Sequence, residues 1–353
     1  MSDNSNLKQH ISLFIYPFHF TIPDKHVIEK LMLSDSLWKQ LEVDQNTSEY
    51  LYFVPSAKDL LFKNRFELKN PSEFKIKYKT CLYQINSIYL NLMPNNIAML
   101  SFDIKNIAEK DEYNLNSLLD FNESFRYVSD IYKDHSASRN GLTIESSFFN
   151  LQNGLTENLI DFLFKPIFSN EKDEKQYKRL FDERMISLSM ASLDEKLSDE
   201  LSYKFFNVDS SNMQLPDDEY IKKYLEENTY KRWRDKGVFY GFTHYGFGCI
   251  SFGDNKWLLE VFRRQYSDLA IIICFQYGVL KLINEQLLLT NTRNTNKIDE
   301  LNELFKDFIK DYWFDLITNQ DQGREIFLLW KSIFEKEYHL WEIINGKFEI
   351  LYK

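Results

Sequence analysis

The sequence predicts an α+β fold, in which an N-terminal mixed α/β domain with an antiparallel hairpin precedes a mostly helical region that ends in a long C-terminal helix. Apolar residues repeat with a period of two around residues 11–20 and 74–103, which is typical of strands. In residues 299–351 they repeat at helical spacing instead. The chain has only 10 glycines and 7 prolines in 353 residues, so we expect long elements joined by few tight turns.

The first elements are predicted to be two strands with a helix between them. Residues Ile11–Phe20 are rich in β-branched and aromatic side chains and predict a strand that stops near Pro17 or Pro23. Apolar residues in Val27–Leu41 have helical spacing, and the run LYFV at Leu51–Val54 predicts a second, short strand.

A long antiparallel hairpin is predicted next. A period of two runs from Phe74 to Asp103 and is interrupted by the turn sequence Met93–Asn96. Asn114 then stands where a helix cap is expected, ahead of a segment with one apolar face. A polar loop at residues 136–141 and a short apolar segment at 155–168 follow.

A charged run at residues 169–179 has no apolar period, so we place a domain boundary there. The predicted domains are 1–168, an α/β domain, and 169–353, a mainly helical domain with a glycine and aromatic segment at 231–289. The alternative is a solvated loop inside one domain.

In the second part we predict a strand within 180–191 and helices at 194–206, 217–227, 299–313 and 324–351. The last helix is stalk-like and carries no stop signal, so we expect the native chain to continue past Lys353.

Composition argues against several classes of protein. The net charge of −10 disfavours binding along a nucleic acid backbone, which needs a basic face. Cys81, Cys249 and Cys274 lie far apart in apolar runs, so we expect buried free thiols in a reducing compartment. We find no secretory signal, and the longest uncharged apolar run, Leu269–Leu280, is shorter than the roughly 20 residues that cross a bilayer.

The segment 231–289 contains the residues that we predict to bind a ligand. Arginine pairs with phosphate groups and stacks on aromatic rings, so arginines beside aromatic residues suit an anionic ligand that has an aromatic ring. The alternative is that these arginines pair with some of the 53 acidic residues. The segment also holds five glycines, which predict tight turns between aromatic strands because the pattern of a phosphate-binding loop is absent. The predicted ligand-binding residues are Arg232, Trp233, Arg234, His244, Tyr245, Arg263 and Arg264, with Lys231, Trp257 and Tyr266 nearby.

No catalytic motif is present, so we predict a binding protein without catalytic residues. A competing hypothesis is a soluble nucleotide-processing enzyme that uses His244 with Asp235 or Asp254. Metal binding by His244 has little support, because no second histidine or cysteine lies near it in the sequence. A third hypothesis is a scaffold that binds another protein through its tyrosine-rich and phenylalanine-rich faces.

Several pieces, scattered over most of the chain, resemble the cytosolic part of the CorA-like divalent-cation channel superfamily. They are IYPF at Ile15–Phe18, the hairpin sequence MPNNIAMLSFDI with LNSLLDFNESFR after it, GFTHYGFGCISF, YSDLAIIICFQYGVLKL, and Phe308–Trp330. In that superfamily a small α/β domain precedes antiparallel helices and a stalk helix that enters two membrane spans, and five copies surround a pore. The Gly-Met-Asn pore motif and both spans are absent here. Either a membrane part follows Lys353, or the protein is a relative without a pore.

The resemblance implies a cytosolic ligand-sensing domain on the cytoplasmic side of the inner membrane. It implies a homo-oligomer, a pentamer if the membrane part is present. Some CorA-like proteins are encoded beside type III CRISPR systems and resemble effectors of antiviral defence that a nucleotide second messenger switches on. The resemblance therefore implies Mg²⁺ or a nucleotide of the S-adenosylmethionine–AMP (SAM-AMP) type as the ligand.

Overall fold

A computed structural model describes residues 7–22, 24–33, 36–107, 114–128, 142–147, 150–151, 156–168, 177–181, 184–253, 255–291 and 293–351. The strands in these ranges are β1 Leu7–Phe20, β2 Trp38–Gln40, β3 Arg65–Leu68, β4 Lys75–Tyr78, β5 Cys81–Met93, β6 Ile97–Asn106, β7 Leu142–Glu145, β8 Asn150–Leu151, β9 Tyr177–Arg179, β10 Ile186–Leu193, β11 Thr229–Tyr230, β12 Val238–Thr243 and β13 Gly246–Phe252. The helices are α1 Asp24–Leu31, α2 Ser48–Tyr52, α3 Pro55–Phe62, α4 Leu115–Phe125, α5 Thr156–Phe168, α6 Asp199–Asn207, α7 Asp218–Asn228, α8 Lys256–Val261, α9 Ser267–Leu289, α10 Thr295–Tyr312, α11 Asp321–Tyr338 and α12 Leu340–Leu351. The predicted α+β class is confirmed.

The described strands form one mixed sheet. Its main path runs β11-β12-β13-β10-β1-β6-β5-β4-β7-β8, while β2 and β3 extend from β5, and β9 pairs with the end of β1. The pair β10 and β13 is parallel, and the other pairs are antiparallel. Strands from both sides of residue 168 therefore share this sheet, while the division into 1–168 and 169–353 stays a prediction.

The strand β1 lies in the middle of the sheet, and its side chains point alternately to the two faces. Ile11, Leu13 and Ile15 belong to the core that contains α9 and α11. Phe14 and Phe18 face the other way, where the Phe14 ring lies 4.8 Å from that of Phe125 in α4 and the Phe18 ring 4.5 Å from that of Phe164 in α5. The sheet is thus covered by helices on both faces.

The most apolar helix, α9, is buried on all sides from Ser267 to Leu280, while its last residues, Leu288 and Leu289, are exposed. It packs on β1 and β6 of the sheet and on α3, α10, α11 and α12. A helix that is apolar all round needs such a position to keep its surface from water. Together with α8 and the π-helical turn Phe262–Tyr266 it forms a 34-residue helix, Lys256–Leu289, which is the one described helix long and apolar enough to cross a membrane. In its most apolar window 89% of the residues are buried inside the protein, and a buried core helix passes the same test of length and composition.

Several sequence predictions are confirmed. The hairpin is β5 and β6 with its turn at Pro94–Asn96, and the side chain of Asn114 caps α4 by accepting a hydrogen bond from the Ser117 amide at 3.0 Å. The strand predicted within 180–191 corresponds to β10, which continues to Leu193, and the helices predicted at 194–206 and 217–227 correspond to α6, which begins only at Asp199, and to α7. All three cysteines are buried and free. The loop predicted at 136–141 and most of the charged run at 169–179 lie outside the described residues.

The strand predicted over Ile11–Phe20 is confirmed as part of β1, which ends at Phe20; of the two predicted stops, the one at Pro17 is wrong, because the strand continues past it. Its pairing with β10 ends at Ile15, and its pairing with β9 begins at Phe18. The carbonyl of Pro17 faces this junction and accepts a hydrogen bond from the Leu180 amide at 3.1 Å. Because the N–H and C=O of one strand residue point to the same side, the missing N–H of proline falls in the gap between two partner strands.

Two short assignments are also wrong. Leu51–Val54 is not a strand, because the helix α2 covers Ser48–Tyr52. Thr47 caps its N-terminus, since the Thr47 hydroxyl accepts a hydrogen bond from the Tyr50 amide. The helix predicted over Val27–Leu41 ends at Leu31 as α1, and β2 follows at Trp38–Gln40. In both places a short apolar run fits either period, and tertiary contacts decide the outcome.

The final helical stretch is interrupted once. The prediction of one helix over 324–351 meets a break at His339, whose φ of 49° is left-handed. The His339 amide still donates a helical hydrogen bond to the Glu335 carbonyl. The left-handed conformation of His339 then ends α11, and α12 starts at the next residue. This is a helix C-terminus of the kind usually formed by glycine, here built with histidine.

Candidate functional site

The glycine-rich segment forms the hairpin β12–β13, and two of its glycines make room for one aromatic ring. Gly241 and Gly248 lie opposite each other in the hairpin. A Cβ atom at either position would come closer than 3.0 Å to the ring of Phe206, which lies over both from α6. These glycines therefore serve packing between α6 and the hairpin, whereas Gly237, with φ of 74°, ends a 3-10 turn as the sequence predicts.

A cavity of about 280 Å³ opens between the helices α6 and α7 and the hairpin. We call it the basic cavity. Its floor is apolar, with Phe206 and Ile250 buried, and Phe239 and Phe252 pack edge to face with ring centroids 5.6 Å apart. Its lining residues are Lys196, Leu197, Asp199, Ser202, Phe206, Lys222, Leu225, Glu226, Thr229, Lys231, Arg234, Phe239, Ile250 and Phe252.

The charges at the rim of the basic cavity are mostly positive. Lys231 forms an ion pair with Glu226, and the guanidinium of Arg234 lies 5.8 Å from the centre of the Phe239 ring. Lys196 and Lys222 are exposed at the mouth. Two of the residues expected near the ligand, Lys231 and Arg234, are therefore brought together with basic residues that the sequence analysis did not single out.

The neighbouring Arg232 and Trp233 face α11 instead of the basic cavity. Arg232 Nη1 lies 3.2 Å from Glu325 Oε1, and Trp233 Nε1 donates to Gln322 Oε1 at 2.7 Å. Arg232 therefore pairs with an acidic residue, which is the alternative to ligand binding that the sequence left open.

His244 and Tyr245 form the turn at the other end of the hairpin. A six-residue strand is about 20 Å long, so this turn is far from Arg234. The two residues line a second cavity of about 480 Å³, which we call the tyrosine cavity. His244 Nδ1 lies 3.8 Å from Glu337 Oε2, and its ring packs edge to face on Tyr245. The lining residues are Tyr203, Asn207, Tyr220, Lys223, Tyr224, Glu227, Asn228, Thr243, His244, Tyr245, Ile333, Lys336 and Glu337.

Arg263 and Arg264, in the π-helical turn before α9, line neither cavity. Arg263 Nε donates to Asp103 Oδ2 at 2.7 Å, and its Nη1 donates to Glu260 Oε1 at 2.8 Å. Burial raises the pKa of Asp103, and Arg263 opposes that rise. Substitution of Arg263 would leave the buried carboxylate of Asp103 without its cation and so lower stability. A variant at Arg263 is therefore unsuitable for testing ligand binding alone. Arg264 is half-exposed and pairs only weakly, at 3.4 Å, with Glu260.

The enzyme hypothesis finds little geometric support. Asp235 lies in the 3-10 turn at the opposite end of the hairpin from His244, and Asp254 lies outside the described residues. Within the described ranges, no cluster of three or more His, Cys, Asp or Glu side chains could hold a metal ion. Trp257 is exposed on α8, and Tyr266 is buried and accepts a hydrogen bond from Gln322 at 2.5 Å.

The helices α6 and α7 contribute residues to both cavities, and the sequence did not indicate that contribution. Lys222 and Tyr224 lie two residues apart in the sequence, yet Lys222 lines one cavity and Tyr224 the other. Helical geometry explains this, because residues two apart point to different sides of a helix. Comparisons with models of protein families, with curated proteins and with solved structures found no match.

Proposed function

We propose that this protein is a ligand sensor, and that its basic cavity binds an anionic ligand with an aromatic ring, of which an adenine nucleotide is the simplest example. The observation that carries the proposal is the charge at the cavity. Four basic side chains and two acidic ones line it, in a chain whose net charge is −10. The exposed lysines offer charge to phosphate groups, while the phenylalanine floor offers rings on which a base can stack. The volume is close to the lower end of the roughly 300–1,000 Å³ of small-molecule sites.

The helix α11 supports a sensing role, because it contacts both ends of the hairpin. Near the basic cavity it is held through Glu325 and Gln322, as described above. At the turn, Trp330 Nε1 donates to the Thr243 carbonyl at 2.8 Å, and Lys336 Nζ lies 3.1 Å from Glu227 at the end of α7. A ligand that shifted α7 or the hairpin would therefore act on α11, and through His339 on α12. Such coupling requires a ligand that binds one of two arrangements more tightly.

The sequence resemblance extends the proposal to a cytosolic domain of a CorA-like channel, with SAM-AMP as the nucleotide and a pentamer as the assembly. The resemblance is the support for this extension. The sensor proposal itself rests on the basic cavity and does not depend on the membrane part.

The proposal is tested by calorimetric titration and thermal unfolding of the purified protein with ATP, SAM-AMP and Mg²⁺ separately. An adenine-containing anion should raise Tm, because a ligand at a hundredfold excess over Kd adds about 2.7 kcal/mol to the free energy of unfolding. The variants Arg234→Ala and Lys222→Ala should each weaken binding about tenfold, which corresponds to about 1.4 kcal/mol. Both side chains are exposed, so the folded state should persist without ligand.

Arg264→Ala is the matched control, because it removes an exposed arginine that lines neither cavity. It should leave nucleotide binding unchanged. Binding of Mg²⁺ without any nucleotide would replace the proposal by a cation-gated domain. Binding of neither would favour the protein-interaction scaffold.

A further inference from the structure

The tyrosine cavity lies on the other side of α7 from the basic cavity and has a different chemistry. Four tyrosines from three separate segments converge on it: Tyr203 from α6, Tyr220 and Tyr224 from α7, and Tyr245 from the hairpin turn. Tyr224 is fixed there by a hydrogen bond from its hydroxyl to Asn207 Oδ1 at 2.9 Å. Tyrosine is thus the commonest wall residue, whereas the basic cavity is lined by lysine and phenylalanine.

Three of these rings form a corner. Tyr220 and Tyr224, one helical turn apart, are nearly parallel, with an interplanar angle of 24° and centroids 6.2 Å apart. Tyr203 stands across both of them, at 70° to Tyr220 and 68° to Tyr224, with centroids at 6.5 Å and 5.0 Å. Walls that meet nearly at right angles are also a feature of the aromatic cages that bind quaternary ammonium groups, and all three rings line this cavity.

The tyrosine rings of the corner carry no formal charge at neutral pH. Burial raises the pKa of Tyr203 to about 12 and raises the pKa values of Tyr224 and Tyr245 as well, so the phenols stay protonated. The face of a neutral aromatic ring is the negative end of its quadrupole. A ligand in the corner therefore meets surfaces that attract a cation and repel an anion.

A carboxylate at the rim also favours a cation. The carboxylates of Glu227 and Glu337 line the cavity, and although Lys336 neutralises Glu227, Glu337 faces only His244 among the ion pairs of the described residues. Tyr245 is not part of the corner, because a cation already lies against its ring: the guanidinium of Arg126, which is 3% exposed, lies 4.9 Å from the centre of the Tyr245 ring.

We propose that the tyrosine cavity binds a compact organic cation, namely a quaternary or methylated ammonium group, in the corner formed by Tyr203, Tyr220 and Tyr224. The ring faces supply the attraction. Glu337 and Lys223 at the rim are both exposed, so water screens their charges and neither occupies the corner. This inference is independent of the nucleotide proposal, because it concerns the other cavity.

The test compares choline with 3,3-dimethylbutan-1-ol, its uncharged carbon analogue of the same shape. Titration of the full chain, followed by NMR of the ligand methyl groups, should show saturable binding of choline and about tenfold weaker binding of the alcohol, since the attraction is electrostatic. Equal binding of the two compounds, or no saturable binding of choline, would overturn the proposal.

Variants at Tyr220 separate the ring from its hydroxyl. Tyr220 is 51% exposed, so its replacement should leave the fold intact. Tyr220→Phe keeps the ring face and should bind choline within about twofold of the parent, whereas Tyr220→Leu should bind about fivefold to tenfold more weakly. If Tyr220→Leu binds choline as well as the parent does, the corner is not the site. Arg234→Ala, in the basic cavity, should leave choline binding unchanged, so the two proposals can fail separately.

Discussion

At the scale of single residues, the burial of Asp209 makes the free energy of unfolding depend on pH. Burial raises the pKa of Asp209 to about 6, although Arg126 nearby acts in the opposite direction. An unfolded aspartate has a pKa of about 3.9, so between these values the folded state binds more protons than the unfolded state. The free energy of unfolding should therefore fall as the pH rises from about 4 to about 6, and this contribution should be constant above that range.

The variant Asp209→Asn should remove that slope. At pH 7 it should be more stable than the parent by about 2–3 kcal/mol, because the buried charge is gone, and at pH 4 the two should be nearly equal. Urea unfolding of both proteins at several pH values measures the difference. Parallel curves from pH 4 to pH 7 would show that Asp209 does not titrate as described.

The predicted ligand-binding residues show what sequence reasoning could reach at this scale. It identified the hairpin segment, but the tight turns that it expected at the glycines hold only for Gly237 and Gly253, which have positive φ, while Gly241, Gly246 and Gly248 lie inside the strands. It also treated Arg234 and His244 as one group. They lie at opposite ends of the hairpin, because an extended strand carries residues apart by about 3.3 Å each. Arg263 is farther along the chain and holds the buried Asp103, a partner 160 positions away that spacing in the sequence cannot indicate.

At the scale of elements, the contact between α6 and the hairpin makes a sharp prediction. Gly241→Ala should lower the free energy of unfolding by about 1–3 kcal/mol, because the added methyl group overlaps the Phe206 ring and the buried ring has little room to move. The loss should shrink when Phe206→Leu is present, since the two side chains share one space. Thermal or urea unfolding of the single and double variants measures this coupling.

Gly346→Ala provides the matched control. Gly346 lies in α12, and a Cβ atom there would have no neighbour within 4 Å. The substitution should raise stability by about 0.5–1 kcal/mol, because glycine lowers helix stability relative to alanine. A neutral Gly241→Ala variant would mean that α6 does not pack on the hairpin as described.

Elements with a strong local signal were predictable, and those decided by distant contacts were not. The long hairpin β5–β6 and the capped helix α4 carry their own turn and cap residues, so the sequence indicated both. Tyr52 of α2 depends on a remote partner, because its hydroxyl occupies the space left by the missing side chain of Gly323. No local pattern near Leu51–Val54 shows that contact.

At the scale of the whole molecule, the shared sheet predicts that residues 1–168 do not fold alone. A fragment that ends at residue 168 lacks β10, which pairs with one edge of β1. It also lacks α9, which covers the face of β1 that carries Ile11, Leu13 and Ile15. The fragment should lack cooperative unfolding in urea, because too little apolar surface is buried to offset its conformational entropy. Addition of the fragment 169–353 should restore cooperativity. Cooperative unfolding of 1–168 by itself would instead support the predicted domain division.

The central position of β1 also has a consequence for synthesis on the ribosome. Its partner β10 pairs Ile186 with Ile15, so about 170 residues must be added before that side of β1 is covered. At roughly 5–20 residues per second this takes about 10–35 s, and α9 emerges later still. During that interval the strand ISLFI is an exposed apolar edge on a nascent chain. The strand β6 can cover one edge of it before synthesis is complete, whereas the other edge stays open until β10 has been made.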